Sequence, residues 1–136
     1  MPSPLNIPLP AYASGATISD DTETALVVSA GVIADTPQYQ VVLHASVDLA
    51  VGADATAVTL SLEQGALAGG TAITSGGVWG PFDVTGSTRV NFSIDGIDSP
   101  GAVHGLTYVL TVTLTGNDTD STVENVYLEA IVTART

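Results

Sequence analysis

The chain has 136 residues, a formal charge of −12 and no Lys, with Arg89 and Arg135 its only basic residues besides two His. Nucleic-acid binding is excluded, because phosphate neutralisation needs clustered Lys and Arg, and an anionic membrane surface repels such a chain. Zero Cys removes disulfide scaffolds, thiolate zinc sites and thiol catalysis, while 45% apolar residues support one folded domain with a sizeable core.

Residues 1–20 form a segment of their own, ahead of a domain spanning 21–136. Pro2, Pro4, Pro8 and Pro10 forbid a helix and favour an extended arm carrying Leu5, Ile7 and Leu9. Those three apolar side chains are poorly suited to a solvated tail and predict docking on a neighbouring subunit. The segment has no basic region followed by an apolar run, so it does not read as a secretory signal, and synthesis and folding in the cytoplasm are expected. Nowhere does the chain hold an apolar run of about 18 residues, the length of a transmembrane helix.

From about residue 22 the pattern has period 2. Thr24 to Ala30 reads as a strand. Over 38–49, Tyr39, Val41, Leu43, Ala45, Val47 and Leu49 fall on one face, and Gln38, Gln40, His44, Ser46 and Asp48 on the other. Shorter alternations cover 58–62 (Val58, Leu60, Leu62) and 89–94 (Val90, Phe92, Ile94). Residues 106–115 alternate Leu106, Tyr108, Leu110, Val112 and Leu114 with Thr. Over 122–133, Val126, Leu128, Ala130 and Val132 share a face, with Val123, Tyr127 and Ile131 opposite. Segments 71–75 and 81–85 are weaker strand candidates. The separators are turn chemistry: Gly52-Ala53-Asp54, Gly69-Gly70, Gly76-Gly77, Asp95-Gly96, Ser99-Pro100-Gly101 and Gly116-Asn117-Asp118. No window shows a helical period. The fold class predicted is all-β: an antiparallel β-sandwich, a jelly roll of about eight strands, with an extended Pro-rich N-terminal arm.

Candidate chemistry is sparse. His44 and His104 share no metal-binding spacing, and both read as solvated: His44 on the polar face of a strand, His104 in a turn. Asp20, Asp21 and Glu23, then Asp95 and Asp98 about a turn, then Asp118, Asp120 and Glu124 form acidic groups. The last lacks the terminal bidentate Glu of an EF-hand loop and reads as a solvated turn. No nucleophile elbow or catalytic constellation is present. The expectation is a protein that is not an enzyme, with no cofactor and no metal. Asn91-Phe92-Ser93 and Asn117-Asp118-Thr119 match the glycosylation sequon, a short pattern that arises often by chance. Trp79, the only Trp, and Phe82 stand in a Gly-rich segment, either capping the open end of the sandwich or serving as an interaction anchor. The candidate interaction residues are therefore Leu5, Ile7, Leu9, Trp79 and Phe82. Outward apolar residues Val42, Val109 and Ile131 predict packing on another copy. Many acids fall in predicted turns, which leaves the sides of the sandwich freer to meet protein.

Three stretches carry a family likeness: Ser93-Ile94-Asp95-Gly96-Ile97-Asp98-Ser99-Pro100-Gly101, Gly105-Leu106-Thr107-Tyr108-Val109-Leu110-Thr111-Val112, and Val123-Glu124-Asn125-Val126-Tyr127-Leu128-Glu129-Ala130. Together they resemble the closing strands of small jelly rolls of the tumour-necrosis-factor shape, over about residues 85–134. Phages use such folds as trimeric capsid decoration (cement) proteins, head fibres or fibre tips. The resemblance implies a virion structural protein, assembled in the host cytoplasm, that forms a homotrimer on a major capsid protein or other virion protein. Residues 2–20 would then be an arm gripping neighbours. It carries no catalytic residues. The alternative is a carbohydrate- or receptor-binding head of a fibre, which predicts an exposed aromatic platform around Trp79 or Tyr108.

Overall fold

The alternation of 38–49 becomes the central strand of one sheet. The computed structural model describes residues 10–117 and 120–134, so Leu5, Ile7, Leu9 and Asp118 lie outside the described residues. Twelve strands occur among those described, and no helix. They are β1 (Ala11–Ala13), β2 (Thr17–Ile18), β3 (Thr24–Val28), β4 (Val32–Ala34), β5 (Tyr39–Ala50), β6 (Ala57–Gln64), β7 (Thr71–Ala72), β8 (Val78–Asp83), β9 (Arg89–Asp98), β10 (Val103–Leu106), β11 (Tyr108–Thr115) and β12 (Ser121–Ala134).

Two antiparallel sheets face each other. The first runs β1-β12-β5-β9, with β2 continuing β1 along β12; the second runs β3-β11-β6-β7, with β8 also on β6. Counting β1 and β2 as one position and omitting the short β4, β7 and β10 leaves eight strand positions. They pair as first with eighth, second with seventh, third with sixth and fourth with fifth. That nested pairing is an eight-stranded jelly roll. Its first strand comes from residues 11–18, within the segment the sequence sets apart as an arm. Proline confines itself to that segment's start, and the backbone beyond it is free to pair: Gly15 N–H donates to Val123 O, and Val123 N–H to Ala16 O, both at 2.8 Å.

The core forms where the inward faces meet. Val41, Leu43, Val47 and Leu49 of β5 lie fully buried between the sheets, with Leu60 and Leu62 of β6, Leu110 and Leu114 of β11, and Leu128 of β12. Each such side chain contributes about 1.5–3 kcal/mol by leaving water. Phe82 of β8 stacks on Phe92 of β9 (centroids 5.0 Å, 24°), joining the two sheets at one edge.

Four details differ from the sequence reading. Asp95-Gly96 is not a turn: β9 runs on through it to Asp98. A Cβ on Gly96 would stand 2.4 Å from Ile73 Cδ1 and 2.9 Å from Ser75 O, so the glycine serves a close approach of residues 73–76. His104 lies in β10, paired with Ile33 of β4, rather than in a turn. Val123 faces inward, 1% exposed, because the β12–β5 register shifts between Val123 and Asn125 and reverses the alternation there. Val109 points away from the core yet is fully buried by its own chain. Its cross-strand partners are Val28 and Glu63.

Candidate functional site

The outer face of the first sheet carries the chemistry. Register places Glu129, His44 and Asp95 in one row across β12, β5 and β9, and Ile131, Val42 and Ile97 in the next row. His44 Nδ1 bonds the Asp95 carboxylate, with side chains 48% and 71% exposed. Tyr127 donates its hydroxyl to Glu129 Oε2 at 2.8 Å. That carboxylate pushes the Tyr127 hydroxyl up to about 12. Tyr12 of β1, 73% exposed, leans on Tyr127 (centroids 5.3 Å, 56°), and the two help line a shallow cavity of about 360 Å³.

A second cavity, about 460 Å³ and open, lies at the β9 edge of this face. Val42 and Ile97 form one side, and His44 and Asp95 another. The far wall is the 73–77 segment with Trp79. Ser75 and Ile97 exchange both backbone hydrogen bonds at 2.9 Å, which seats that segment against β9. Trp79, half-buried, donates its indole N–H to Gly76 O at 2.6 Å, which fixes the ring on the same segment.

The wall is anchored from below by Asp98, 2% exposed. Its carboxylate accepts from Thr74 N (3.1 Å), Thr74 Oγ1 (2.9 Å), Gln64 Nε2 (2.7 Å) and the Tyr108 hydroxyl (2.8 Å). Burial first, and the Asp98 bond next, push the Tyr108 hydroxyl far above its ordinary value of 10. Tyr108 is wholly enclosed, so the aromatic platform proposed for that residue does not exist. Asp95 and Asp98 do not flank a turn. They alternate on one strand, Asp95 outward to the groove and Asp98 inward to the network.

The sequence candidates therefore separate. Trp79 lies at the groove. Phe82 is spent on joining the sheets. Val42 and Ile131 share the outer apolar row with Ile97. The sequence reading did not couple His44 to Asp95, because they are 51 residues apart and only the β5–β9 register brings them together. Tyr12 and Tyr127 were likewise missed as a pair, since the strand holding Tyr12 is three residues long.

Two other polar clusters are structural ties. Asn117, 2% exposed, receives Ser121 Oγ on its Oδ1 and donates Nδ2 to Ile18 O and Asp20 O, while its backbone N–H reaches Asp21. Its amide is thus committed inside the protein, contrary to use as a glycosylation acceptor. On the outside of the second sheet, Glu63 is 5% exposed and accepts from Ser61 Oγ, Gly69 N and Gly70 N. It also shares a hydrogen bond with Glu23, which accepts from Thr111. Burial and the neighbouring carboxylate raise Glu63, and the hydrogen bond from Glu63 lowers Glu23. Among the described residues no group of three or more His, Asp or Glu side chains is arranged to hold a metal ion.

No protein-family model matches the chain, and no curated protein sequence matches it. Solved structures do. A chain in the structure of infectious bursal disease virus, Gx strain, aligns over 94% of this protein with a TM-score of 0.66 at 9% identity. The likeness is one of fold. This protein spans about a third of that viral chain, 33%. A Stig cyclase from Fischerella sp. TAU aligns over 90% of this chain and 64% of its own, at 13% identity and TM-score 0.49. The carbohydrate-binding module CBM36, solved with calcium and xylotriose, aligns over 91% and 92%, at 14% identity and TM-score 0.43.

Proposed function

We propose that this protein is a structural subunit of a virus particle, a phage decoration (cement) or head-fibre protein that stabilises or adorns the shell through oligomeric surface contacts. The observation that supports this is the complete eight-strand jelly roll, shared over 94% of its length with a chain of a virus structure. The resemblance of residues 85–134 to phage jelly rolls adds to it. In this reading the chain assembles as a homotrimer in the host cytoplasm and binds a major capsid protein or another virion protein. It takes no cofactor and performs no catalysis. The segment with Leu5, Ile7 and Leu9 grips a neighbouring subunit or the shell, burying apolar area in a contact repeated over many copies.

Mass spectrometry of purified virus particles, with light scattering of the isolated chain after size exclusion, tests this reading. Expected are the chain in the particle and a trimer in solution that loosens when residues 1–9 are deleted. Absence from particles together with a stable monomer at micromolar concentration refutes it. The second reading, a carbohydrate- or receptor-binding head, is favoured by one observation, the Trp79 groove.

A further inference from the structure

We propose that the groove between Trp79 and the His44–Asp95 pair binds a neutral saccharide. The inference rests on the second reading and deepens it by naming the site and the ligand class; it does not depend on whether the chain belongs to a virus particle.

Each part of the groove narrows the ligand. The indole N–H of Trp79 is spent on Gly76 O, so the ring offers a ligand only its aromatic carbon surface. Val42 and Ile97, cross-strand partners, add an aliphatic patch beside it. The polar side is His44 with Asp95. Their mutual bond occupies Nδ1 as donor and Oδ1 as acceptor, and leaves Nε2 and Oδ2, on residues that line the groove, as acceptors for ligand hydroxyl groups. A ligand that fits both surfaces has one face of C–H groups and a rim of hydroxyls. A pyranose ring has that form.

Charge removes the anionic competitors. No Lys exists in the chain, and Arg89 is bonded to Asp48. Among the described residues no Lys or Arg lines the groove to receive a phosphate or carboxylate ligand, and a chain of charge −12 repels such a ligand at long range. A ligand ammonium remains the competitor that charge does not remove, since Asp95 keeps Oδ2 free beside the ring and the chain is acidic; the choline arm of the titration separates it from a neutral sugar. The size agrees as well: about 460 Å³ lies within the usual span of small-ligand sites, about 300–1,000 Å³. The wall is built before any ligand arrives. The Ser75–Ile97 exchange, the Gly96 contact and the Asp98–Thr74 bonds hold it in place, which lowers the ordering cost of binding.

The molecule supplies its own reporter, because Trp79 is the only tryptophan. The experiment is a fluorescence titration of the full chain with xylotriose, cellotriose, maltotriose, mannotriose and lactose. Choline and 3′-sialyllactose serve as the cationic and anionic arms. Expected is a saturable change in Trp79 emission with at least one neutral sugar, weakened about five- to tenfold in His44→Ala and in Asp95→Asn, the worth of about one hydrogen bond. Asn91→Ala, on the same exposed face beyond the groove, keeps the wild-type response. Circular dichroism establishes that each variant is folded. For Trp79→Phe, which removes the reporter, backbone amide shifts of residues 75–77 and 95–97 replace fluorescence.

No saturable response to any neutral sugar overturns the proposal. So does an equal response in the His44→Ala, Asp95→Asn double variant, or preferential binding of choline or 3′-sialyllactose, in which case the groove takes a charged ligand. If a receptor-binding head acts through another surface, receptor capture survives the double variant while the sugar titration fails. If the head reading itself fails, both are lost.

Discussion

Replacing Asp98 with Ala removes the one acceptor that ties β9 to β6, β11 and the groove wall at once. The consequences differ by partner. The Tyr108 hydroxyl is fully enclosed and has no water to turn to, so it is left unsatisfied at a cost of about 1–3 kcal/mol. Thr74 is exposed and Gln64 half-buried, so water takes over their bonds, and each loses only about 0.5–1 kcal/mol net. The sum is about 2–5 kcal/mol, against a total stability of about 5–15 kcal/mol for a domain. At about 3–5 °C per kcal/mol for this chain length, Tm falls by about 6–25 °C. Tyr108→Phe, which removes the buried donor and leaves Asp98 three bonds, costs about 1.5–2 kcal/mol. Urea unfolding followed by far-ultraviolet circular dichroism and by Trp79 emission measures both variants and their double. The double variant is expected to cost less than the sum, with coupling of at least about 1 kcal/mol. A midpoint shift for Asp98→Ala worth under 1 kcal/mol, or strict additivity with Tyr108→Phe, refutes the reasoning.

Other outcomes follow from contacts already described. Gly96→Ala puts a methyl against Ile73 and the Ser75 carbonyl, and is expected to destabilise by about 1–3 kcal/mol and shift Trp79 emission to the red as the wall moves out. Emission at the wild-type wavelength would refute that placement. Asn117→Asp sets a third carboxylate beside Asp20 and Asp21, so it is expected to lower the urea midpoint more than Asn117→Ala, which costs about 1–3 kcal/mol. The Glu23–Glu63 pair makes stability depend on pH. The raised Glu63 contributes stability that is complete below the ordinary glutamate value of 4.5 and is lost as pH rises through its own raised value. The lowered Glu23 contributes stability present above 4.5 and lost as pH falls through its lowered value. Glu63→Gln is expected to abolish the loss on the alkaline side in denaturation midpoints taken across pH, and an unchanged profile would refute the assignment.

What could be read from the sequence follows from where the information lies. Long strands such as β5, β11 and β12 carry enough alternation for the period to declare itself, and the fold class follows from them. β1, β2, β4 and β10 have two to four residues each, too few for any period, and form because a longer strand offers them a partner. Asp95-Gly96 misled because the dipeptide has turn chemistry, and only the approach of Ile73 and Ser75 explains the glycine. Trp79 stood out by rarity alone. Its partners did not, since a pair such as His44 and Asp95 depends on register between strands separated by three others in the chain. The acids divide similarly. Asp20 and Asp54 are in loops and Asp48 and Glu129 on strands as expected, but Asp95, read as a turn residue, joins them on the outer face of the first sheet.

The nested pairing of the eight strands also sets the order in which the chain can be assembled. β6 with β8 encloses residues 57–83, β5 with β9 encloses 39–98, β3 with β11 encloses 24–115, and β1 with β12 encloses nearly everything described. Each closure made early shortens the loop that the next must close, and the entropic cost of closing a loop grows with its length. The hairpin around Trp79 is therefore the expected nucleus, and the N-terminal strand is the last to dock. A topology so rich in distant contacts folds slowly. It leaves the β1–β2 position on β12 vacant longest, so an N-terminal strand from a second molecule has its best chance to enter at that late stage.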